Sequence, residues 1–195
     1  MICLSQATLP LSDVLRMGLT DGYQWHRQIW DSFPGRPESE RDFLFRTDQF
    51  DKAFRVLLLS GDVPESTGHL LWQTKTVAES FLKYSHYRFQ LKANPTFRRS
   101  ADGRRLAIFD ELQLKEWLDR KAVAGGFRVD PASLVVGAPQ TEVFNKNGRR
   151  GTHVAVDFQG ILQVHDLPIF TESFQHGIGS AKGFGYGLLM LEPVR

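Results

Sequence analysis

Gly177-Ile-Gly-Ser-Ala-Lys-Gly-Phe-Gly-Tyr-Gly187 is the stretch from which the fold of this chain is interpreted, because it places five glycines in eleven residues. A segment with a helical pattern, Leu167 to His176, precedes it, and an apolar run, Leu188 to Leu191, follows it. Glycines at this density allow positive φ and a close approach of the backbone to a partner. Successive exposed N–H groups can also bind an anion. The stretch therefore predicts a loop from helix into strand, either an anion-binding loop or a long helix cap with a tight turn.

This glycine loop (residues 177–187) differs from the two common nucleotide-binding loops. A P-loop requires Gly-Lys-Ser/Thr, but Lys182 is followed by Gly183. The dinucleotide fingerprint requires a glycine where Lys182 stands. Both of those loops also run from a strand into a helix, which is the opposite order. The pattern therefore excludes both nucleotide-binding classes.

Two further stretches join the glycine loop in resembling one family. They are Gly22 to Pro37 (GYQWHRQIWDSFPGRP), continued by Arg41-Asp-Phe-Leu-Phe45, and Tyr87 to Pro95 (YRFQLKANP). With these three motifs in order, the chain resembles the CRISPR repeat-processing endoribonucleases, and more narrowly the CasE type, which works in the Cascade surveillance complex. The resemblance implies tandem ferredoxin-like domains with a boundary near residues 80–88.

Composition limits the classes of protein to consider. The 195 residues, 42% of them hydrophobic, fit one large domain or two small ones. No window approaches the roughly 18 consecutive apolar residues of a membrane span, and the opening Met1-Ile-Cys-Leu-Ser lacks the features of a secretion signal. The single Cys3 has no partner for a disulfide or a zinc cluster. These features predict a cytoplasmic protein with no membrane contact, no metal and no cofactor.

The order of predicted elements repeats once along the chain. In the first half we expect a strand at 1–9, a helix at 21–33 capped by Thr20, strands at 41–45 and 53–60, and a weaker helix or loop at 68–82. In the second half we expect a strand at 84–93, a helix at 110–124, strands at 127–136 and 153–164, a helix opened by Pro168, and a last strand. Each half follows the strand–helix–strand–strand–helix–strand order of a ferredoxin-like unit.

The predicted fold class is therefore α+β. It consists of tandem ferredoxin-like (RRM-like) domains, each an antiparallel sheet with helices on one face. The first domain spans residues 1–84 and carries the candidate catalytic helix. The second spans residues 85–195 and carries basic segments and the glycine loop.

One face of the first long helix carries Tyr23, His26, Arg27 and Trp30, at i, i+3, i+4 and i+7. Its phenol, imidazole and guanidinium suit the chemistry of RNA self-cleavage. Histidine titrates near neutrality and can accept or donate a proton. Arginine can bind phosphate oxygens in bidentate fashion. From the residues alone, the alternative is that His26 is a half-buried structural side chain.

The resemblance favours the catalytic interpretation. His26 matches the catalytic histidine of the family's Tyr-x-x-His pattern, and Tyr23 matches the accompanying tyrosine. Arg27 is added from its chemistry, as a phosphate contact. The other histidines form no metal-ligand spacing.

The charge distribution predicts where RNA binds, although the net charge is only +2. Two basic segments and the glycine loop contribute the candidate RNA-binding residues: Lys92, Arg98, Arg99, Arg104, Arg105, Lys146, Arg149, Arg150, Gly177, Gly179, Ser180, Lys182, Gly183 and Gly185. Phosphate contacts of this kind give affinity and register without reading sequence. The alternative for the basic segments is two solvated turns. In the family that the chain resembles, such elements bind a repeat stem-loop.

Together these features predict a metal-independent endoribonuclease that cuts CRISPR precursor RNA at the base of the repeat hairpin by 2′-hydroxyl attack. The resemblance implies that the protein retains the product with other Cascade subunits. One alternative is a non-catalytic RNA-binding subunit with the same fold. Another is a small-molecule-binding regulatory module, which the same fold can also serve. The basic segments disfavour the second alternative, and binding of hairpin RNA would distinguish it.

Overall fold

The first sheet of the protein is antiparallel and four-stranded. The structure, a computed structural model, describes residues 1–35 and 42–194. The elements of the first half are β1 (Cys3–Pro10), α1 (Leu11–Arg16), α2 (Gly22–Trp30), β2 (Phe43–Phe50), β3 (Ala53–Ser60), β4 (Gln73–Thr76) and a 3₁₀ turn at Glu79–Lys83. The strands lie in the order β2-β3-β1-β4. This is a ferredoxin-like order in which a connection at 61–72 takes the place of the second helix.

The second sheet repeats the arrangement with additions. Its elements are β5 (His86–Ala93), β6 (Thr96–Arg98), β7 (Arg105–Ala107), α3 (Glu111–Ala124), β8 (Phe127–Val129), β9 (Val135–Val136), β10 (Gln140–Lys146), β11 (Arg149–Val164), α4 (Leu167–His176), a 3₁₀ turn at Lys182–Phe184, and β12 (Leu189–Pro193). The main order is β10-β11-β5-β12, β8 and β9 also pair with β11, and β6 and β7 form a separate hairpin. The predicted α+β class with two antiparallel sheets is confirmed.

Several predicted element boundaries are wrong. The strand expected at 127–136 is two short pieces, β8 and β9, and the unpredicted β10 pairs with β11 through a tight turn. The unpredicted β4 lies where a weaker helix or loop was expected, and its four residues are all exposed, so no hydrophobic alternation marks it. Arg36, Pro37 and Arg41 of the quoted motif lie outside the described residues.

Asp21, rather than the predicted Thr20, caps the N-terminus of α2. Its Oδ1 accepts hydrogen bonds from the backbone N–H groups of Tyr23 (2.8 Å) and Gln24 (3.0 Å). A side-chain cap of this kind stabilises a helix by about 1 kcal/mol. The helix ends at Trp30, earlier than expected, and turns follow it.

The strands β2 and β3 bury both faces, and each face serves a different hydrophobic core. In β3, Val56 and Leu58 pack with α1 and α2, whereas Leu57 and Leu59 pack into the core of the second half. Leu44 of β2 joins that second core as well. Because side chains alternate between the faces of a strand, one continuous apolar run attaches the half of the molecule that contains α2 to the half that contains the glycine loop.

An ion-pair network also joins the two sheets. The guanidinium of Arg46, on β2, contacts Asp48 at 2.8 Å and Asp157 of β11 at 3.0 Å. Asp48 also contacts Arg55 at 3.2 Å. Arg46 is only 9% exposed, so its guanidinium, which contacts one carboxylate in each sheet, is a buried charge. Replacing Asp157 alone would leave this buried charge with one partner fewer, which costs free energy.

Within the described residues, no helix is long and apolar enough to cross a membrane.

Candidate active site

His26 lies on α2, surrounded by aromatic rings. Its ring centroid is 5.5 Å from that of Phe43 and 6.4 Å from that of Phe45, both on β2, and 5.6 Å from Trp30 on the next helical turn. The side chain is half-buried. Stacking therefore fixes the orientation of the imidazole and leaves part of it accessible to a substrate.

Tyr23 lies one turn before His26 and meets the tip of the β10–β11 hairpin. Its hydroxyl donates a hydrogen bond to Asn147 Oδ1 at 3.3 Å. The ammonium of Lys146 lies 5.8 Å from the centroid of the Tyr23 ring. Arg27 is exposed on the same helix. The structure therefore brings Lys146, predicted only as an RNA contact, beside a predicted catalytic residue.

The glycine loop packs tightly between elements of both halves. A Cβ on Gly185 would lie 3.1 Å from the Phe45 ring, one on Gly179 would lie 3.2 Å from Trp117, and one on Gly177 would lie 2.8 Å from Leu44. Gly179 and Gly185 also have φ of +86° and +89°, which L side chains rarely adopt. Positive φ and close approach together explain why glycine occupies these positions.

Hydrogen bonds tie the loop to the second sheet. Ser180 Oγ donates to the Asn94 carbonyl at 3.1 Å, and the N–H of Gly187 donates to the Lys92 carbonyl at 2.8 Å. Gly183, by contrast, has open space where a Cβ would be. Lys182 lines a cleft of about 410 Å³ together with Asp42, Phe43, Gln175 and His176. The predicted loop residues thus divide into packed positions and a half-exposed turn at 182–184.

At Gly22, α2 packs directly against the backbone of the glycine loop. We therefore expect alanine at this position to destabilise the protein, the reverse of its usual effect in a helix. In ordinary helices Gly→Ala stabilises by up to ~1 kcal/mol. Here the added Cβ would lie 2.4 Å from the backbone oxygen of Phe184. We expect Gly22→Ala to lower the free energy of unfolding by about 1–3 kcal/mol, as overpacking does, measured by urea denaturation.

Gly183→Ala is the matched control for Gly22→Ala, because it adds the same methyl group on the other side of this contact, in the glycine loop, where the space is open. We expect its free energy of unfolding to equal or exceed that of the wild type. Equal stability of the two variants would show that the contact between α2 and the loop is not tight.

A cluster of rings lies behind the candidate site. The His153 ring centroid is 4.6 Å from those of Phe144 and Phe184 and 5.6 Å from that of Tyr186. Burial lowers the pKa of His153, and the nearby carboxylate of Glu142 opposes that effect. Burial among the rings therefore favours the neutral form of this imidazole. No sequence pattern marked this cluster, since its members come from three separate segments.

The Lys92 side chain makes its contacts with other residues of the protein. Its ammonium pairs with Glu142 at 2.8 Å and lies 5.5 Å from the centroid of the Tyr186 ring. Glu142 also accepts a hydrogen bond from the Tyr186 hydroxyl. Burial, with the Glu142 carboxylate, raises the pKa of Tyr186 well above its usual range. An RNA phosphate would compete with this carboxylate for Lys92.

The β6–β7 hairpin presents two arginines at a small cleft. Arg98 and Arg105 stand directly opposite each other in register, where like charges repel. The cleft, of about 230 Å³, is also lined by Lys121 of α3 and by the loop residues Gly179 and Ser180. Lys121 was not predicted, because a single lysine on an amphipathic helix has no distinguishing pattern. Three cationic side chains therefore line this cleft.

The other two arginines of the hairpin lie near its turn. Arg99 pairs with Asp102, and Arg104, with a side chain 76% exposed, lies 3.9 Å from the same carboxylate. Asp102 therefore offsets part of the positive charge at the tip.

The β10–β11 turn forms the second basic group. Lys146 pairs in register with Arg149, and Asn145 with Arg150, all of them exposed. The glycine loop contacts the neighbourhood of both basic groups: Ser180 lines the β6–β7 cleft, and the Phe184 ring packs against Phe144 of β10 and Tyr23 of α2. In residues 1–35 and 42–194, no cluster of three or more His, Cys, Asp or Glu side chains is arranged to hold a metal ion.

Comparison with known proteins identifies the family. A profile described as "CRISPR associated protein" matches residues 4–193. The CRISPR system Cascade subunit CasE of Escherichia coli (strain K12) is 32% identical over 195 aligned residues, with 93% of this chain and 96% of the relative covered. The CRISPR-associated endoribonuclease Cse3 of Thermus thermophilus is 33% identical over 202 aligned residues, with 94% of this chain and 96% of the relative covered.

A solved structure shares the fold over the whole chain. The CRISPR endoribonuclease Cse3 bound to 19 nt RNA superposes with a TM-score of 0.85, at 24% identity, covering 99% of this chain and 100% of that chain. The profile match and the two relatives each span more than nine-tenths of the sequence. The chain therefore belongs to the CRISPR associated protein family.

Proposed function

We propose that this protein is a metal-independent endoribonuclease that cuts CRISPR precursor RNA at the base of the repeat hairpin. One observation carries the proposal: the half-buried imidazole of His26 and the phenol of Tyr23 lie one turn apart on α2, and the ammonium of Lys146 lies beside the Tyr23 ring. The Thermus relative is named an endoribonuclease, which supports the same reaction class.

The chemistry follows from the RNA and from these groups. The 2′-hydroxyl transfers its proton to a base as its oxygen bonds to the adjacent phosphorus. The bond from phosphorus to the 5′-oxygen of the next nucleotide then breaks, and that oxygen takes a proton. The products are a 2′,3′-cyclic phosphate and a 5′-hydroxyl. His26 serves as general base or acid, Tyr23 orients the reacting groups, and Arg27 binds phosphate oxygens.

Two basic surfaces hold the RNA stem in this proposal. One is the hairpin cleft of Arg98, Arg105 and Lys121, and the other is the β10–β11 turn with Arg149 and Arg150. Both surfaces belong to the proposed second domain, residues 85–195, whereas the proposed first domain, residues 1–84, carries α2. The second half thus supplies both basic surfaces, the first half supplies His26 and Tyr23, and the glycine loop packs between the two halves.

We further propose that the protein keeps its product as a subunit of a Cascade complex. The Escherichia coli relative is named a Cascade subunit. Retention fits the many distributed phosphate contacts, which cleavage of one bond leaves intact. A cytoplasmic location stays a prediction.

The test is to incubate the purified protein with the repeat hairpin RNA of its own host, with and without EDTA. We expect one specific cut at the base of the stem and the same rate in both samples. Loss of cutting in EDTA would refute metal independence. Tight hairpin binding without any cut would favour a non-catalytic RNA-binding subunit.

A further inference from the structure

We propose that the β10–β11 turn is part of the active site, with Asn147 positioning the Tyr23 hydroxyl and Lys146 carrying positive charge to the reacting phosphate. This proposal rests on the proposed function and deepens it. It gives Lys146 a role in the reaction itself, beyond the RNA affinity expected of a basic turn, and it adds Asp21 and Asn147 as positioning residues.

Asp21 fixes the turn to the start of α2. One carboxylate oxygen caps the helix through the N–H groups of Tyr23 and Gln24. The other accepts a hydrogen bond from the backbone N–H of Asn145 at 3.0 Å. One side chain therefore sets both the first turn of the catalytic helix and the position of the hairpin tip.

The tip then contacts Tyr23 directly. The Tyr23 hydroxyl donates its proton to Asn147 Oδ1. A phenol that donates in this direction presents its oxygen lone pairs to the substrate. Tyr23 can then accept a hydrogen bond from an RNA hydroxyl, such as the attacking 2′-hydroxyl, and so orient it. Asn147 acts through Tyr23 and is a positioning residue.

Lys146 brings positive charge to the same place. Its ammonium lies 5.8 Å from the Tyr23 ring centroid. Lys146 also stands opposite Arg149 in the ladder, and like charges directly opposite destabilise a hairpin. An anion bound between them would relieve that repulsion. The reacting phosphate, next to Tyr23 and His26, is the anion that the proposed reaction supplies.

The backbone of the turn allows a clean test. Asn147 and Gly148 have φ of +51° and +73°, the left-handed pair of a type I′ turn. Glycine adopts this conformation readily. Asn147→Gly therefore keeps the turn and removes only the acceptor for the Tyr23 hydroxyl, while Tyr23→Phe removes that hydroxyl, both as donor to Asn147 and as acceptor for the RNA.

The experiment is a double-mutant cycle on the single-turnover cleavage rate at saturating hairpin RNA. Affinity is measured separately with a hairpin that has 2′-deoxyribose at the cut site. We expect Asn147→Gly to lower the rate about 10-fold or more, within the range for a lost positioning or proton-transfer contact, with affinity within about two-fold. In the Tyr23→Phe background, Asn147→Gly should have no further effect, since coupled residues are not additive.

Thr141→Ala, at an exposed position on β10, is the control and should cleave at the wild-type rate. Lys146→Met should lower the rate at saturation and not only the affinity. Equal rate losses from Asn147→Gly in both backgrounds, or a loss in affinity alone, would overturn the proposal. Absence of cutting by the wild-type protein would instead refute the proposed function itself.

Discussion

Replacing His26 with alanine is expected to slow hairpin cleavage by about 10²–10⁴-fold, the usual contribution of a general acid or base. The affinity for the hairpin should stay within a few-fold of the wild type. In the proposed function, one imidazole on α2 transfers a proton, whereas the phosphates are bound by cations on two other surfaces, the β6–β7 cleft and the β10–β11 turn. The rate is measured in single turnover, and the affinity with a hairpin that cannot be cut.

His26→Phe separates chemistry from packing at this position. Phenylalanine keeps a ring against Phe43 and Phe45, where His26 stacks, and it cannot exchange a proton. We expect the same loss of rate as with alanine. His165→Ala is the matched histidine control, because His165 is exposed and follows the end of β11 far from the turn. Cleavage by both His26 variants near the wild-type rate would assign the reaction to another residue.

A single 2′-deoxy substitution in the nucleotide just before the cut should abolish cleavage and leave the hairpin bound. The 2′-hydroxyl is the internal nucleophile in the proposed reaction, and DNA lacks it. The substitution removes that nucleophile and preserves every phosphate on which affinity depends. Gel analysis of the fragments gives the rate, and the chemistry of their ends gives the mechanism.

The end groups distinguish the two possible mechanisms of cleavage. Attack by the 2′-hydroxyl leaves a 2′,3′-cyclic phosphate upstream and a 5′-hydroxyl downstream. A 2′-deoxy substitution one nucleotide further upstream is the control and should be cut normally. If the deoxy substrate at the cut site is cleaved, or if the downstream fragment carries a 5′-phosphate, then an activated water is the nucleophile and His26 has a different role.

Local patterns in the sequence predicted the elements that carry strong periodicity. The spacing of Tyr23 and His26 placed both on one helix, and α3 and α4 were located within a residue of their ends. The exposed strand β4 was missed, because a strand without a buried face has no alternation to detect. The choice between Thr20 and Asp21 as the cap could not be made from residue type, since both side chains accept hydrogen bonds from backbone N–H groups.

The candidate site was predictable only where its residues are neighbours in sequence. Lys146 and Asn147 lie more than 120 positions after Tyr23, so no periodicity connects them. The pairing of Lys92 with Glu142 was hidden for the same reason, because it depends on how β5 and β10 are arranged in the sheet. Basic composition located positive charge but did not show which cations face outward.

The contact between Asp21 and Asn145 restricts the sequence changes that such a protein can accept during evolution. Hairpin tips usually tolerate insertions and deletions, because they lie at the surface and carry few contacts. This tip is held at two points instead, by Asp21 at Asn145 and by Tyr23 at Asn147, so one added residue between them would change the spacing of these two contacts. It would also carry Asn147 away from Tyr23. The sequence of this surface turn is therefore restricted by its contacts with α2. Substitutions at positions 21, 23 and 147 should be accepted only in compatible combinations.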